Sequence, residues 1–281
     1  NREAERRCGS VMAGVSTESL SKVEEVLQAH ASLQPLNLAS ELFAVVDVLD
    51  HNGTLRRAVT DSSRDAAARQ GIANTVFDGK ISSQAMAVLT NAVTQRWSDD
   101  ADLANALERA AVLAVTASAQ SRGGVDALDE VLNELLTFVR TVDSNAQAQE
   151  ALSDHQASKE AKKKLAVALG GPATTAEGVL LLERVGSNPR GRHAARVADE
   201  FAEIIVTRQN RYIARVTSAI ALSQAQLERL GRALNAVYGR ELKLDVSVDP
   251  AVLGGLRVQV GDEVIDGTVE TRMSDLARSI G

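Results

Sequence analysis

Across 281 residues, proline stands at only four positions, 35, 172, 189 and 250. Proline ends a helix because it has no N–H to donate and its ring collides with the preceding turn, so long proline-free stretches leave helices free to run. Those stretches carry the helical period. In DALDEVLNELLTFVRTV, from Asp126, residues Leu128, Val131, Leu132, Leu135, Leu136 and Val139 recur at i, i+3 and i+4 and share one helix face. Thr60, Asp61, Ser62 and Ser63 offer N-caps for a helix over residues 66–76, and Asp78-Gly79 is a stop signal. The apolar load rests on Ala, Val and Leu, and only 2% of residues are aromatic. Such a chain suits helices packed through small aliphatic side chains. It argues against stacked-base recognition and carbohydrate platforms, which need exposed rings.

The helical part repeats itself. AVTDSSRDAAARQGIANTVFDGKIS, from Ala58, lies over ALSDHQASKEAKKKLAVALGGPAT, from Ala151, at a period of about 92 residues. Asp61 falls on Asp154, Arg69 on Lys162, Phe77 on Leu169 and Gly79 on Gly171, with a one-residue gap late in the match. Upstream, ELFAVVDVLDHNGTLRRAV resembles NELLTFVRTVDSNAQAQEAL in the same register. Identity is low. The shared order of helix, polar turn, capped helix, glycine turn and helix favours duplication over coincidence.

After about residue 210 the period changes. Residues 212–220 read as a strand. Ser223 and Gln226 form a capping box in which hydroxyl and amide satisfy free helix-end N–H groups. Leu227, Leu230, Leu234 and Val237 make a helical stripe closed by Gly239. ELKLDVSV then alternates, with Leu242, Leu244, Val246 and Val248 on one side and Glu241, Lys243, Asp245 and Ser247 on the other, the mark of a half-buried strand. LRVQV, from Leu256, meets Gly261-Asp262 and then EVID, a hairpin whose first turn glycine suits type II′. Val269, Met273, Leu276 and Ile280 line a last amphipathic helix. The expected fold class is mainly α with a small α+β C-terminal domain: a duplicated helical bundle followed by a β-α-β-β-α unit.

Residues able to do chemistry do not converge. The net charge of −6 gives nothing to gain from counterion release on nucleic acid. Cys8, the only cysteine, excludes an internal disulfide and reads as an incidental thiol rather than a nucleophile, having no histidine near it. His30, His51, His155 and His193 lack metal-ligand spacing. Asp47, Asp50 and His51 invite an acid-base or metal reading, but a helix ending in a solvated Asp-His-Asn-Gly turn is the simpler one. Asp262, Glu263 and Asp266 are too short a series for a calcium loop. The basic residues within 159–164 read as a solvated helix face, and Arg190, Arg192 and His193 as a loop. No phosphate-binding loop occurs, and Gly254-Gly255 leads into a strand rather than a helix. No apolar run nears the ~20 residues that span a bilayer, and the first residues lack the apolar core of a secretory signal. The chain opens on Asn1, with Met12 a natural alternative beginning, and the expectation is a cytosolic protein without catalytic, cofactor-binding or metal residues.

The closing segment carries a resemblance. Asp249-Pro250, Gly254-Gly255, the strand from Leu256 to Val260, Gly261-Asp262, Val264-Ile265-Asp266-Gly267 and the final helix with Ser274 and Arg278 follow one another in a characteristic order. Upstream, Arg215 to Ala219 with Leu222-Ser223, and Tyr238-Gly239-Arg240, extend it to about 70 residues. The series resembles the C-terminal domain of the F-type ATP synthase δ subunit family, whose mitochondrial relative is the oligomycin-sensitivity-conferring protein. The helical part resembles that family's N-terminal bundle less specifically. The extra length is similar to extended actinobacterial forms, some fused behind a membrane-anchored b-type segment. The expected organisation is an N-terminal helical segment (1–37), a first bundle repeat (38–124), a second repeat in the position of the usual bundle (125–210) and an α+β domain (211–281). The resemblance implies a non-catalytic stator. Its helical part would grip the N-terminal helices of the α subunits, with Leu128, Leu132, Leu135 and Val139 in the core beside the groove. The C-terminal domain would bind the b stalk, at the cytoplasmic face of the cell membrane and without a cofactor. The competing reading is a cytosolic helical adaptor unrelated to ATP synthase.

Overall fold

The computed structural model describes residues 14–31, 34–154, 156–171, 174–210, 213–239, 242–249, 255–260 and 263–266. The chain divides into two compact units, Asn1–Ile205 and Val206–Gly281. The first is helical: α1 (Gly14–His30), α2 (Pro35–His51), α3 (Gly53–Thr60), α4 (Ala66–Phe77), α5 (Ser83–Thr94), α6 (Asp100–Asp143), α7 (Ala146–Ser153), α8 (Lys159–Leu169) and α9 (Ala176–Ser187). α10 (Ala194–Asn210) spans the division.

Local chemistry sets these boundaries, and it sets them twice. Asn52 caps α3 by accepting from the Leu55 N–H, and Asn145 caps α7 through Gln147 and Ala148. Asp65 caps α4 and Ser158 caps α8, each accepting from the N–H three residues on; Ser82 and Thr175 do the same for α5 and α9. Every member of these pairs lies 93 residues from its counterpart. So do Asp61 and Asp154, which accept from the Ser63 and Gln156 N–H groups in matching turns. Glu41 receives both the N–H and the hydroxyl of Ser82, and Glu134 receives both from Thr175, again 93 residues on. The gap in the sequence match has a simple origin. α8 ends one residue sooner than α4, and the following turn is one residue longer. The expected cap of α4 at residues 60–63 is corrected, since Asp61 is spent on its own turn and Asp65 sits directly before the helix.

The 44 residues of α6 are two helices in one. At Gly123 (φ −163°, ψ 25°) and Gly124 (φ 63°, ψ −141°) the backbone leaves helical space, and two arms, 100–122 and 125–143, meet there. The first arm is buried nearly all round, through Leu103, Ala104, Leu107, Ala110, Ala111, Val112, Ala114 and Val115. An ordinary surface helix buries one stripe; burial on every side requires neighbours on every side. On the second arm Leu128 and Leu135 are fully buried, whereas Leu132 and Val139 are half-buried against the same core.

α8 and α9 pack where Gly186 lets them touch. A Cβ there would stand 2.6 Å from the Lys162 carbonyl oxygen and 2.8 Å from the Ala166 Cβ. Gly186→Ala sets an overpacking cost of about 1–3 kcal/mol against about 1 kcal/mol of regained helix propensity. A net loss of about 1 kcal/mol is expected in urea unfolding, and a gain in stability would show the contact to be loose.

The second unit holds β1 (Ile213–Ser218), α11 (Gln224–Tyr238), β2 (Lys243–Val248), β3 (Leu256–Val260) and β4 (Glu263–Asp266). The sheet order is β2-β1-β3-β4, with β1 parallel to β2 and antiparallel to β3, and β3 antiparallel to β4. The described residues thus contain one strand more than β-α-β-β, because the hairpin supplies two. Val260 pairs with Glu263, a two-residue connection as expected; Gly261, Asp262, Gly267 and the expected terminal helix lie outside the described residues. The capping box of Ser223 and Gln226 forms, and Gly239 closes α11 in the left-handed region. Ala214, Val216, Leu234, Leu242, Val258 and Val260 form the core, flanked by Leu230 and Tyr238. Two expectations fail at the edge of this core: Val237 is 72% exposed and Val248 51%. Four residues after Leu234, Tyr238 takes the inward position that Val237 would have had, and Val248 is the last residue of its strand.

Candidate functional site

α1 lies along α5, and between them opens a cleft of about 820 Å³. Val26 comes from α1, and Met86, Ala87, Thr90, Asn91 and Thr94 come from α5. Positions 86, 87, 90, 91 and 94 are one helix face, and Val26, Met86, Ala87 and Thr90 are half-buried. Ile81 adds apolar surface, and Asp78 is the only charged group among the described lining residues. This is a shallow open trough, apolar at Val26, Ile81, Met86 and Ala87, polar along Thr90, Asn91 and Thr94, with one acidic edge at Asp78. A smaller cleft of about 390 Å³ lies among α6, α7 and α10, lined by Val139, Val142, Leu152 and His193.

The second feature is an ionic junction centred on Glu108, which is 4% exposed in the first arm of α6. Three arginines reach its carboxylate: Arg192 at 2.7 Å, Arg190 at 3.1 Å and Arg184 at 3.3 Å. Each has a further acid. Arg184 donates to Asp47, Arg190 donates to Asp50 at 2.7 Å, and Arg192 donates to Glu200 at 2.5 Å. Asn188 also donates to Asp47, at 2.7 Å, and the Arg184 guanidinium carbon sits 5.1 Å from the Phe43 ring centroid. Phe43 in turn stacks on Phe201, centroids 6.3 Å apart. Burial alone would push the Glu108 carboxyl up, but Arg190, Arg192 and Arg184 together outweigh it and hold it below its ordinary range. Arg190 takes φ 55°, a left-handed conformation that its ion pairs hold in place.

The junction refines two sequence readings. α2 does end at the Asp-His-Asn-Gly turn, with His51 and Asn52 exposed, and Arg190 and Arg192 do lie in a loop; what changes is that Asp47 and Asp50 pair with arginines and the loop is tied to α2, α6 and α10. A signal was present at Asp47, which interrupts the otherwise apolar run AVVDVL, where a charge must find a partner; Glu108 stands beside Arg109 and near Asn105 in LANALERAAVLAV, so its burial was less plain. His51 stands apart, its Nδ1 2.6 Å from the Asp47 carbonyl oxygen. The basic residues of α8 include Lys163, paired with Glu160 at 3.0 Å. Cys8 and Met12 lie outside the described residues, and nothing is described of the Glu263 and Asp266 side chains. Among the described residues no group of three His, Cys, Asp or Glu could hold a metal ion.

Fold and surface together describe a braced helical unit with an open trough and no converging reactive groups among the described residues, followed by a small α+β domain. A sequence profile described as "ATP synthase delta (OSCP) subunit" matches residues 110–280. Proteins called ATP synthase subunit delta from Renibacterium salmoninarum and Kocuria rhizophila are each 40% identical to the chain over 270 residues, which is 96% of this chain and 99% and 100% of theirs. The one from Streptomyces coelicolor is 38% identical over 274 residues, 96% of this chain and 99% of its own. The chain belongs to the ATP synthase delta (OSCP) subunit family. It is a structural stalk subunit of the F-type ATP synthase, not a catalytic one, and the reading as an unrelated adaptor gives way. The complex it serves is membrane-associated; no described helix of this chain is long and apolar enough to cross a membrane.

Proposed function

We propose that the chain joins the N-terminal helices of α subunits to the membrane-anchored b stalk at the cytoplasmic face of the membrane, so that the catalytic head cannot turn with the central rotor. The α1–α5 trough carries this reading, because a static joint needs apolar area and anchors rather than reactive groups. The α helix would lay its apolar face on Val26, Ile81, Met86 and Ala87 and bring a basic residue to Asp78. The C-terminal sheet domain, residues 211–281, would take the b stalk. The recurrence of caps at 93 residues supports a helical region built from two related sets, 38–124 and 125–210, behind a first segment, 1–37. No catalytic, cofactor-binding or metal residues belong to this role.

The test is reconstitution of the purified chain with the α/β head and with b. A charge buried in an apolar trough behaves as a lost hot spot, about 2 kcal/mol or roughly thirtyfold. Met86→Asp should therefore weaken head binding by about that factor while leaving b binding unchanged. A wild-type chain that retains neither α nor b would overturn the proposal.

A further inference from the structure

The two helical sets overlap. Moving α1 forward by 93 residues lands on 107–123, within the first arm of α6; moving that arm forward by the same step lands on 193–215, over α10. One helix therefore closes the first set and opens the second, which joins α1 to the first set and starts the second before residue 125. Its burial on every side is the independent sign of that double duty, and the family profile, which begins at residue 110, starts inside it.

This overlap bears on how many partner helices the unit can hold. The same step carries the α1–α5 trough onto the groove between the first arm of α6 and α9. Val26 becomes Ala119, Met86 becomes Val179, Ala87 becomes Leu180, Thr90 becomes Glu183 and Asn91 becomes Arg184. Because α2 and α9 both pack on α6, they also meet each other. Ala119 is fully buried, where Val26 is half-open. Glu183 puts a carboxyl group in the middle of the face that Thr90 keeps neutral. At the far end Arg184, 5% exposed, lies under Asp47 and Phe43 of α2, and Asn188 is held by Asp47. We infer that the helical unit offers one helix-docking trough, not two, because α2 of the same chain occupies one end of the second set's counterpart.

The inference rests on the docking reading above and fails separately from it. Titrate the full chain calorimetrically with a synthetic peptide of the α-subunit N-terminal helix, checking each variant's fold by circular dichroism. One equivalent is expected, weakened about thirtyfold by Met86→Asp and changed by less than about threefold by Leu180→Asp. Two equivalents would overturn the single trough, and one that Leu180→Asp removes and Met86→Asp spares would overturn the inference that α2 closes the second groove, each while leaving docking intact. No binding by the wild-type chain would overturn docking and this inference together.

Discussion

Glu108→Ala should lower the unfolding free energy by about 3–5 kcal/mol, the usual cost of stripping one partner from a buried ion pair. The figure is large against the roughly 5–15 kcal/mol that holds a typical domain together. Three guanidiniums converge on this carboxylate, and the Arg184 and Arg190 side chains are only 4% and 10% exposed. Without the carboxylate they face one another in a poorly solvated space, each retaining a single acid. Those remaining acids, Asp47, Asp50 and Glu200, set the loss toward the lower end. A cycle with Arg190→Ala separates attraction from packing: if the carboxylate matters through its charge, the two losses fall short of additive by more than about 1 kcal/mol. The pH dependence carries a definite sign. The Glu108 carboxyl is held below its ordinary range in the fold, so its contribution is complete above the unfolded value of about 4.3 and disappears as pH falls through the folded one. Acid should thus destabilise the wild-type chain more steeply than Glu108→Ala. Urea midpoints at several pH values decide it; parallel curves would mean that the carboxylate is a packing group.

How much of this was legible beforehand follows from how local each determinant is. The helical class, the capping box at Ser223, the stop at Gly239 and the alternation of β2 depend on neighbours a few residues away, and all were readable. The sequence also carries the 93-residue recurrence of capping side chains, which keep fixed spacing even where the core side chains differ. Of the junction only the charge at Asp47, set in an apolar run, gave a signal; the partners did not. Asp47, Asp50, Glu108, Arg184 and Arg190 meet across as many as 140 residues, and nothing within any one helix says which arginine an acid will find. The misassigned Val237 shows the same limit at smaller scale. A stripe at i, i+3 and i+4 leaves two positions eligible, and only the sheet beneath chooses between Val237 and Tyr238. The α1–α5 trough is the least legible element, since Val26, Ile81, Met86 and Ala87 are ordinary core types that only the fold leaves half-open.

Gly124→Val should cost about 2–3 kcal/mol, and for a reason unlike that of Glu108. At φ 63° and ψ −141° the backbone occupies a region essentially closed to L side chains. A Cβ built there meets nothing within 4 Å, so the penalty is conformational and cannot be relieved by repacking. Gly123, at φ −163°, is in extended backbone that any residue adopts, and its Cβ would only press on Ala127 at 3.1 Å. Gly123→Ala should therefore be the milder change. The escape open to Gly124→Val is to continue the helix straight through the joint. That would break the pairing of Arg122 with Glu130, now 2.8 Å apart, since eight residues along a straight helix are separated by about 12 Å. It would also carry the second arm, with Glu134 and the cap it provides to Thr175, away from the helix that both sets share. Spin labels at the exposed positions 99 and 140, in a chain carrying Cys8→Ser, report this directly. A straight helix would hold them about 60 Å apart, and the kinked wild-type chain should give a shorter distance that lengthens in Gly124→Val. An unchanged distance with an unchanged urea midpoint would mean that packing of the arms, rather than the glycine, sets the bend.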